Sequence, residues 1–260
     1  MCIRDRLTTV KRGRIAIFTL NRPEKYNALN PALIQALEEA MLDFMEDPDL
    51  YVGILTGAGG KAFCSGADVT EWLPFVKATA DRPWRIPRTP MRGLYVTKPL
   101  IAAVNGLAYG GGGELALACD LRIAAEHASF RWPEPSLGLL PRFGGTQRLP
   151  RIIGYGRAMQ ILLTNEKVDA QTALQIGLVN QVVPAEQLLD AALQAAEKIC
   201  QLAPLAVRSI KQCLSQGYDM PLRDGLALEN TLGMALYQTE DYLEGGRAFQ
   251  EKRPPQFQGK

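Results

Sequence analysis

The stretch from Pro99 to Cys119 constrains the fold of this chain most. Pro99 to Val104 is a short apolar run that reads as a buried strand. It passes Gly106, enters the run Gly110-Gly111-Gly112-Gly113, and continues as an apolar helical pattern from Glu114 to Cys119. Similar units precede and follow it. Arg14 to Leu20 predicts a buried strand that ends at the turn Asn21-Arg22-Pro23. Asn30-Pro31 then opens a helix, with Asn as N-cap and Pro at the first helical position. Leu33, Leu37, Ala40, Met41 and Phe44 supply its apolar face, and Pro48 closes it. Tyr51 to Thr56 and Leu121 to Ala124 predict further strands, with a turn at Gly57 to Gly60. Helical patterns recur near Gly156 to Leu163, Ala170 to Ile176 and Ala185 to Leu202. Strands that alternate with helices argue for an α/β fold with parallel pairing, and the chain beyond about residue 196 is mostly helical in pattern. Thr70 to Gly93 stands apart, with Pro74, Pro83, Pro87 and Pro90 among Arg82, Arg85, Arg88 and Arg92. It predicts a short helix followed by a mobile or irregular stretch.

Bulk properties set outer limits. A chain of 260 residues buries a sizeable core as one large domain, or as one domain with a small appendage. Hydrophobic residues make up 47% and charged residues 22%, and the net charge is +2. That balance is too mild to draw nucleic acid by bulk electrostatics. No apolar run approaches the roughly 20 residues of a membrane helix. The cysteines, Cys2, Cys64, Cys119, Cys200 and Cys213, are odd in number and form no C-x-x-C pair. A disulfide framework and a zinc site are both disfavoured, and a reducing, cytoplasmic setting is expected. Residues 1–6 lack a signal-peptide pattern and read as a non-native scar.

Three segments hold candidate chemistry. The glycine run before Glu114 brings backbone N–H groups close to a ligand, which suits an anion or a developing oxyanion. Its plain alternative is a tight strand-to-helix turn in which Glu114 merely offsets the helix dipole. Ser65-Gly66-Ala67-Asp68 follows a strand and a glycine-rich turn; it reads as an ordinary loop that could present another N–H. Glu134 lies between Pro133 and Pro135, in a stiff segment where burial would raise a carboxyl pKa toward a working pH; without context it is a surface acid. His127 is the only histidine, so a histidine-rich metal site is excluded by count. With no G-x-S-x-G elbow, His127 reads as a solvated loop residue.

Four blocks in order resemble the crotonase superfamily, also called the enoyl-CoA hydratase/isomerase family. They are Asn21 to Leu29, Ala62 to Asp68, Ala102 to Asp120 and Pro133 to Leu149, the last containing Gly144-Gly145-Thr146-Gln147-Arg148-Leu149. The resemblance covers nearly the whole chain from about residue 8. It implies stacked ββα turns forming a catalytic core over residues 7–195, and a helical trimerisation region over residues 196–260. A homotrimer or a dimer of trimers is implied. The N–H groups of Ala67 and Gly111 match the oxyanion hole for a thioester carbonyl. Lys25 and Ala28 match contacts to coenzyme A, and Asp68, Val69 and Thr70 match the neighbouring wall. Phe249 and Lys252 match positions that reach a neighbouring subunit's coenzyme A. Hydratases of the family carry two acidic residues where this chain has Glu114 and Glu134; many isomerases, hydrolases and lyases keep one or neither.

The resemblance therefore implies reversible hydration of a 2-enoyl-CoA, with no metal and no cofactor beyond the coenzyme A on the substrate. A double-bond isomerase or another acyl-CoA lyase is the alternative. An RNA-binding homologue using the Arg82 to Arg92 stretch is a remote one, and neither nucleic acid nor membrane is an expected partner. Arg142-Phe143 departs from the small residues usual in close hydratases. With Trp72, these two residues are candidates for the acyl pocket.

Overall fold

The apolar runs become strands because each is covered on both sides. The structure, a computed structural model, describes residues 6–260. Most of the scar expected at residues 1–6 thus lies outside the described residues; Arg6 itself accepts a hydrogen bond from the Asn21 N–H at 2.7 Å. The elements run β1 (Leu7–Arg12), β2 (Ile15–Leu20), α1 (Pro31–Glu46), β3 (Val52–Gly57), β4 (Ala62–Cys64) and α2 (Val69–Ala78). They continue with β5 (Leu100–Val104), β6 (Leu107–Tyr109), α3 (Gly111–Leu117), β7 (Leu121–Ala125), β8 (Ser129–Arg131) and α4 (Gly145–Ile153). Then follow α5 (Tyr155–Thr164), β9 (Val168–Asp169), α6 (Ala170–Gln175), β10 (Gln181–Val183) and α7 (Leu188–Cys200). The chain closes with α8 (Pro204–Gly217), α9 (Leu222–Leu236) and α10 (Glu240–Glu251).

Successive ββα turns build two sheets. One sheet has the order β1-β2-β3-β5-β7-β10, the other β4-β6-β8-β9. Pairing is parallel except at the two antiparallel ends, β1 with β2 and β8 with β9. In β5, Leu100, Ala102 and Val104 point into the main core, while Ile101 and Ala103 point to a second core under α7. Alternate side chains leave a strand on opposite faces. A strand buried on both faces is therefore apolar at every position, as this one is. α7 closes the second core with Leu188, Ala192, Leu193 and Ala196.

Local signals explain the boundaries. The Asn30 side chain accepts from the Leu33 N–H at 2.9 Å, with Pro31 at the first helical position of α1. α3 begins at Gly111, three residues before the expected start, so most of the glycine run forms the helix's first turn. The Ala185 to Leu202 pattern divides into a 3-10 turn at Ala185–Gln187 and α7. The proline-rich stretch after α2 is irregular, with a 3-10 turn at Pro83–Arg85, and it is tied down by arginines. Prolines have no N–H, so the segment's carbonyls take side-chain donors instead. Arg92 donates to the carbonyls of Pro83, Ile86 and Pro87. Arg148 donates to those of Pro90 and Met91 at 2.9 and 3.1 Å.

Candidate active site

One helix start and one 3-10 turn carry the two glutamates, and a second helix start supplies a donor. Glu114 lies in the first turn of α3 and is only 1% exposed. Its Oε1 accepts the backbone N–H of Phe143 at 2.7 Å and that of Gly145 at 2.8 Å. Burial pushes the Glu114 carboxyl up to about 7; the two N–H bonds and Arg148 pull it down, and the nearby Glu134 adds a push upward. Glu134 opens the 3-10 turn Glu134–Leu137. Its Oε2 is buried and accepts no hydrogen bond from the protein, and burial raises its pKa as well. The two carboxyls, twenty residues apart in sequence, thus meet as neighbours with unlike partners.

Glycine makes this meeting possible. Gly110 has φ +50°, and a Cβ built there would stand 2.8 Å from Glu134 Oε1. At Gly112 a Cβ would fall 2.0 Å from the Cys64 carbonyl oxygen, so only glycine lets α3 press against β4.

The two proposed oxyanion donors also approach each other. Leu29 pairs with Ala67 in a parallel bridge: its N–H donates to the Gly66 carbonyl at 2.7 Å, and its carbonyl accepts the Asp68 N–H at 2.8 Å. That bridge uses the groups on either side of Ala67 and leaves the Ala67 N–H outside it. The Gly111 N–H, at the start of α3, has no carbonyl one turn back within the helix. A Cβ at Gly111 would lie 3.9 Å from the Ala67 nitrogen, and one at Gly66 3.5 Å from the Gly111 nitrogen.

The other candidates divide into near and far groups. Lys25 is exposed on the 3-10 turn Pro23–Lys25, and its carbonyl accepts the N–H of the buried Ala28 at 3.0 Å. Both belong to the turn that bridges to Ala67. Asp68 is buried and already engaged. It caps α2 through Thr70 and pairs with Arg22 at 2.9 Å. The Thr70 hydroxyl first, and Arg22 after it, hold its carboxyl below the usual range. Val69 and Thr70 are exposed beside it.

Trp72 is buried, with its ring 5.8 Å from that of Phe143. Phe143 thus turns inward, while Arg142 is exposed and lies over the Phe143 ring, 5.1 Å from its centroid. Phe249 and Lys252 are far along the chain at the end of α10, and Phe249 is 86% exposed. No hydrogen bond or ring contact among the described residues ties either to Glu114 or Glu134. His127 occupies the turn between β7 and β8; its Nε2 lies 3.1 Å from the Gly60 carbonyl oxygen and 3.2 Å from that of Asn105.

Four participants escaped the sequence reading. The backbone N–H groups of Phe143 and Gly145 carry no residue signature. Arg148 links Phe143, Pro90 and Met91 through their carbonyls and sets the loop beside Glu114. Its position in Gly-Gly-Thr-Gln-Arg-Leu was visible, but its role was not. Trp132 is fully buried next to Gly113 and Gly145, with its Nε1 unpaired within the protein.

Comparison with known proteins agrees with this architecture. A family model described as enoyl-CoA hydratase/isomerase matches residues 11–260. The chain belongs to the enoyl-CoA hydratase/isomerase family. Among curated members it is 44% identical to the (E)-benzylidenesuccinyl-CoA hydratase of Thauera aromatica, over 95% of this chain and 96% of that protein. It is 40% identical to the short-chain-enoyl-CoA hydratase of Clostridium acetobutylicum, over 94% of each. The crystal structure of an enoyl-CoA hydratase from Bacillus anthracis superposes with a TM-score of 0.93 at 41% identity, covering 98% of this chain and all of that one. The two-layer spiral and the helical C-terminal region are thus the family's fold. Among the described residues, no helix is long and apolar enough to cross a membrane.

Proposed function

We propose that this member of the family is an enoyl-CoA hydratase that adds water reversibly across the C2–C3 double bond of a 2-enoyl-CoA, with Glu114 and Glu134 as its acid–base pair. The observation that carries this reading is the pairing of two carboxyls, Glu114 buried and Glu134 half-buried with a buried Oε2, both with raised pKa values, beside two N–H donors. The N–H groups of Ala67 and Gly111 would receive the thioester carbonyl oxygen. Negative charge grows on that oxygen as water attacks C3, and loss of one such donor costs about 2.7–4 kcal/mol of barrier. Glu114, fixed by two backbone donors, orients the water and takes one of its protons. Glu134, whose Oε2 has no protein partner, delivers its proton to C2. The protons balance: one leaves the water for Glu114, one leaves Glu134 for C2, and exchange between the acids restores the start. Dehydration follows the same path backwards.

The substrate brings its own coenzyme A, and the reaction calls for no further cofactor or metal. Lys25, Ala28, Val69 and Thr70 would face the coenzyme A portion, with Phe249 and Lys252 of a neighbouring copy at its far end. This requires a trimer or a dimer of trimers. In support, α9 buries none of its residues, and Leu214, Tyr218 and Leu222 are exposed around it. We assign the enzyme to the cytoplasm, on the free thiols of Cys64 and Cys119 in its core.

The test is incubation with crotonyl-CoA and with medium, branched and aromatic 2-enoyl-CoAs. Hydration removes the conjugated-thioester absorbance and adds the mass of one water. Absence of turnover across the whole panel overturns the reading.

A further inference from the structure

The loop between Glu134 and α4 offers a charged group that hydration itself does not use. Arg142 is exposed and, among the described residues, forms no ion pair or hydrogen bond; its guanidinium carbon lies over the Phe143 ring, 5.1 Å from the centroid. Phe143 is fixed at three points. Its N–H donates to Glu114 Oε1, its carbonyl accepts from Arg148 at 2.9 Å, and its ring meets the edge of the buried Trp72. The guanidinium is thus carried on a rigid aromatic wall that begins at the catalytic carboxyl.

The surroundings add positive charge. Arg148 binds Pro90 and Met91 as well as Phe143, which brings the segment holding Arg92 against this loop. Arg92 is committed to the carbonyls of Pro83, Ile86 and Pro87. Its pKa is lowered first by burial and then by the charge of Arg142, so the two cations feel each other. Glu38 is the one acid that acts on Arg92 in the opposite sense, and its Oε1 is taken up by the Arg88 N–H at 2.8 Å. Glu114 is held by backbone donors, and Glu134 does not reach Arg142 in any hydrogen bond or ion pair. Two neighbouring cations form a site for an anion. An apolar or aromatic chain running along Phe143 and Trp72 would end at that anion site.

We propose that the Arg142 guanidinium, carried on the Phe143–Trp72 wall beside Glu114, selects 2-enoyl-CoA substrates whose acyl chain ends in a carboxylate. This rests on the hydratase reading and names the substrate class within it. The acyl end, rather than coenzyme A, is the anion, because the wall that carries Arg142 starts at the carboxyl that meets the reacting carbons.

The experiment compares two six-carbon 2-enoyl-CoAs, one ending in a carboxylate and one ending in a methyl group. The wild-type enzyme should favour the carboxylated substrate in kcat/KM by roughly tenfold or more, the scale of one charge-assisted contact. Arg142→Ala should bring that ratio toward one, and Arg142→Lys should keep part of it. Equal kcat/KM for the two substrates in the wild type overturns the proposal. So does an unchanged ratio in Arg142→Ala, or an equal loss on both substrates, which marks a coenzyme A phosphate contact instead. Binding of the saturated six-carbon acyl-CoA pair by calorimetry separates this from the hydratase reading. A binding preference abolished in Arg142→Ala supports the anion site even where no hydration occurs.

Discussion

The surroundings of Glu114 and Glu134 are built differently, although the two carboxyls are neighbours. Glu114 lies at the junction of two helix starts, where the N–H groups of Phe143 and Gly145 fix one of its oxygens. Glu134 rides on a 3-10 turn between prolines, with a buried oxygen that no protein group satisfies. A carboxylate held by two donors keeps its geometry while its charge changes. An unpartnered carboxyl in a buried setting favours its protonated form. In the proposed mechanism one region would supply position and the other a transferable proton.

Replacing each acid by its amide tests that division most directly. Glu134→Gln and Glu114→Gln should each lower kcat/KM for hydration by about 10²–10⁴. Steady-state rates on one enoyl-CoA would check this. Near-full activity in Glu114→Gln breaks the two-acid comparison and favours the isomerase alternative, in which Glu134 acts alone.

The same Glu114→Gln change should act on stability in the opposite direction. The folded-state pKa of Glu114, about 7, lies above the ordinary glutamate value, here 4.5. Between these values the folded protein binds the proton that the unfolded chain has released. Stability from this group is therefore full below pH 4.5 and is lost as pH rises through about 7. Glutamine keeps an oxygen for Phe143 and Gly145 and carries no charge to bury. The variant should gain on the order of 3 kcal/mol over wild type at pH 8, with the gain vanishing toward pH 4.5. Denaturant unfolding at both pH values would measure it. A stability difference that does not change with pH would mean that Glu114 ionises as freely in the fold as in the unfolded chain.

How legible each region was in the sequence follows from what builds it. α1 was legible because its cap is local: Asn30, Pro31 and the face from Leu33 to Phe44 lie within fifteen residues. β5 was legible as an unbroken apolar run. β4, β6 and β8 are three residues long, too short for a period of two to register, and they exist by pairing with one another. The site shows the same limit. Glu114 and Glu134 stood out as residues, but the donors that separate their roles are backbone groups 29 and 31 positions from Glu114. Which way Arg142 and Phe143 point depended on Trp72, which lies on α2.

The smallest effect concerns Gly110, the glycine against Glu134. Gly110→Ala forces a side chain into a left-handed backbone conformation, at a strain of about 1–3 kcal/mol. It also sets a methyl group 2.8 Å from Glu134 Oε1. The Glu134 turn ends in the exposed Ser136 and Leu137 and can shift outward, whereas Glu114 is pinned by its two backbone donors. Turnover should therefore fall about tenfold through displacement of the proton donor, a loss near 1.4 kcal/mol of barrier. The pH-dependent stability assigned to Glu114 should persist, because its two backbone donors are untouched. If instead the variant loses that pH dependence, the two surroundings are mechanically joined through Gly110, and the division between a positioning acid and a mobile one fails.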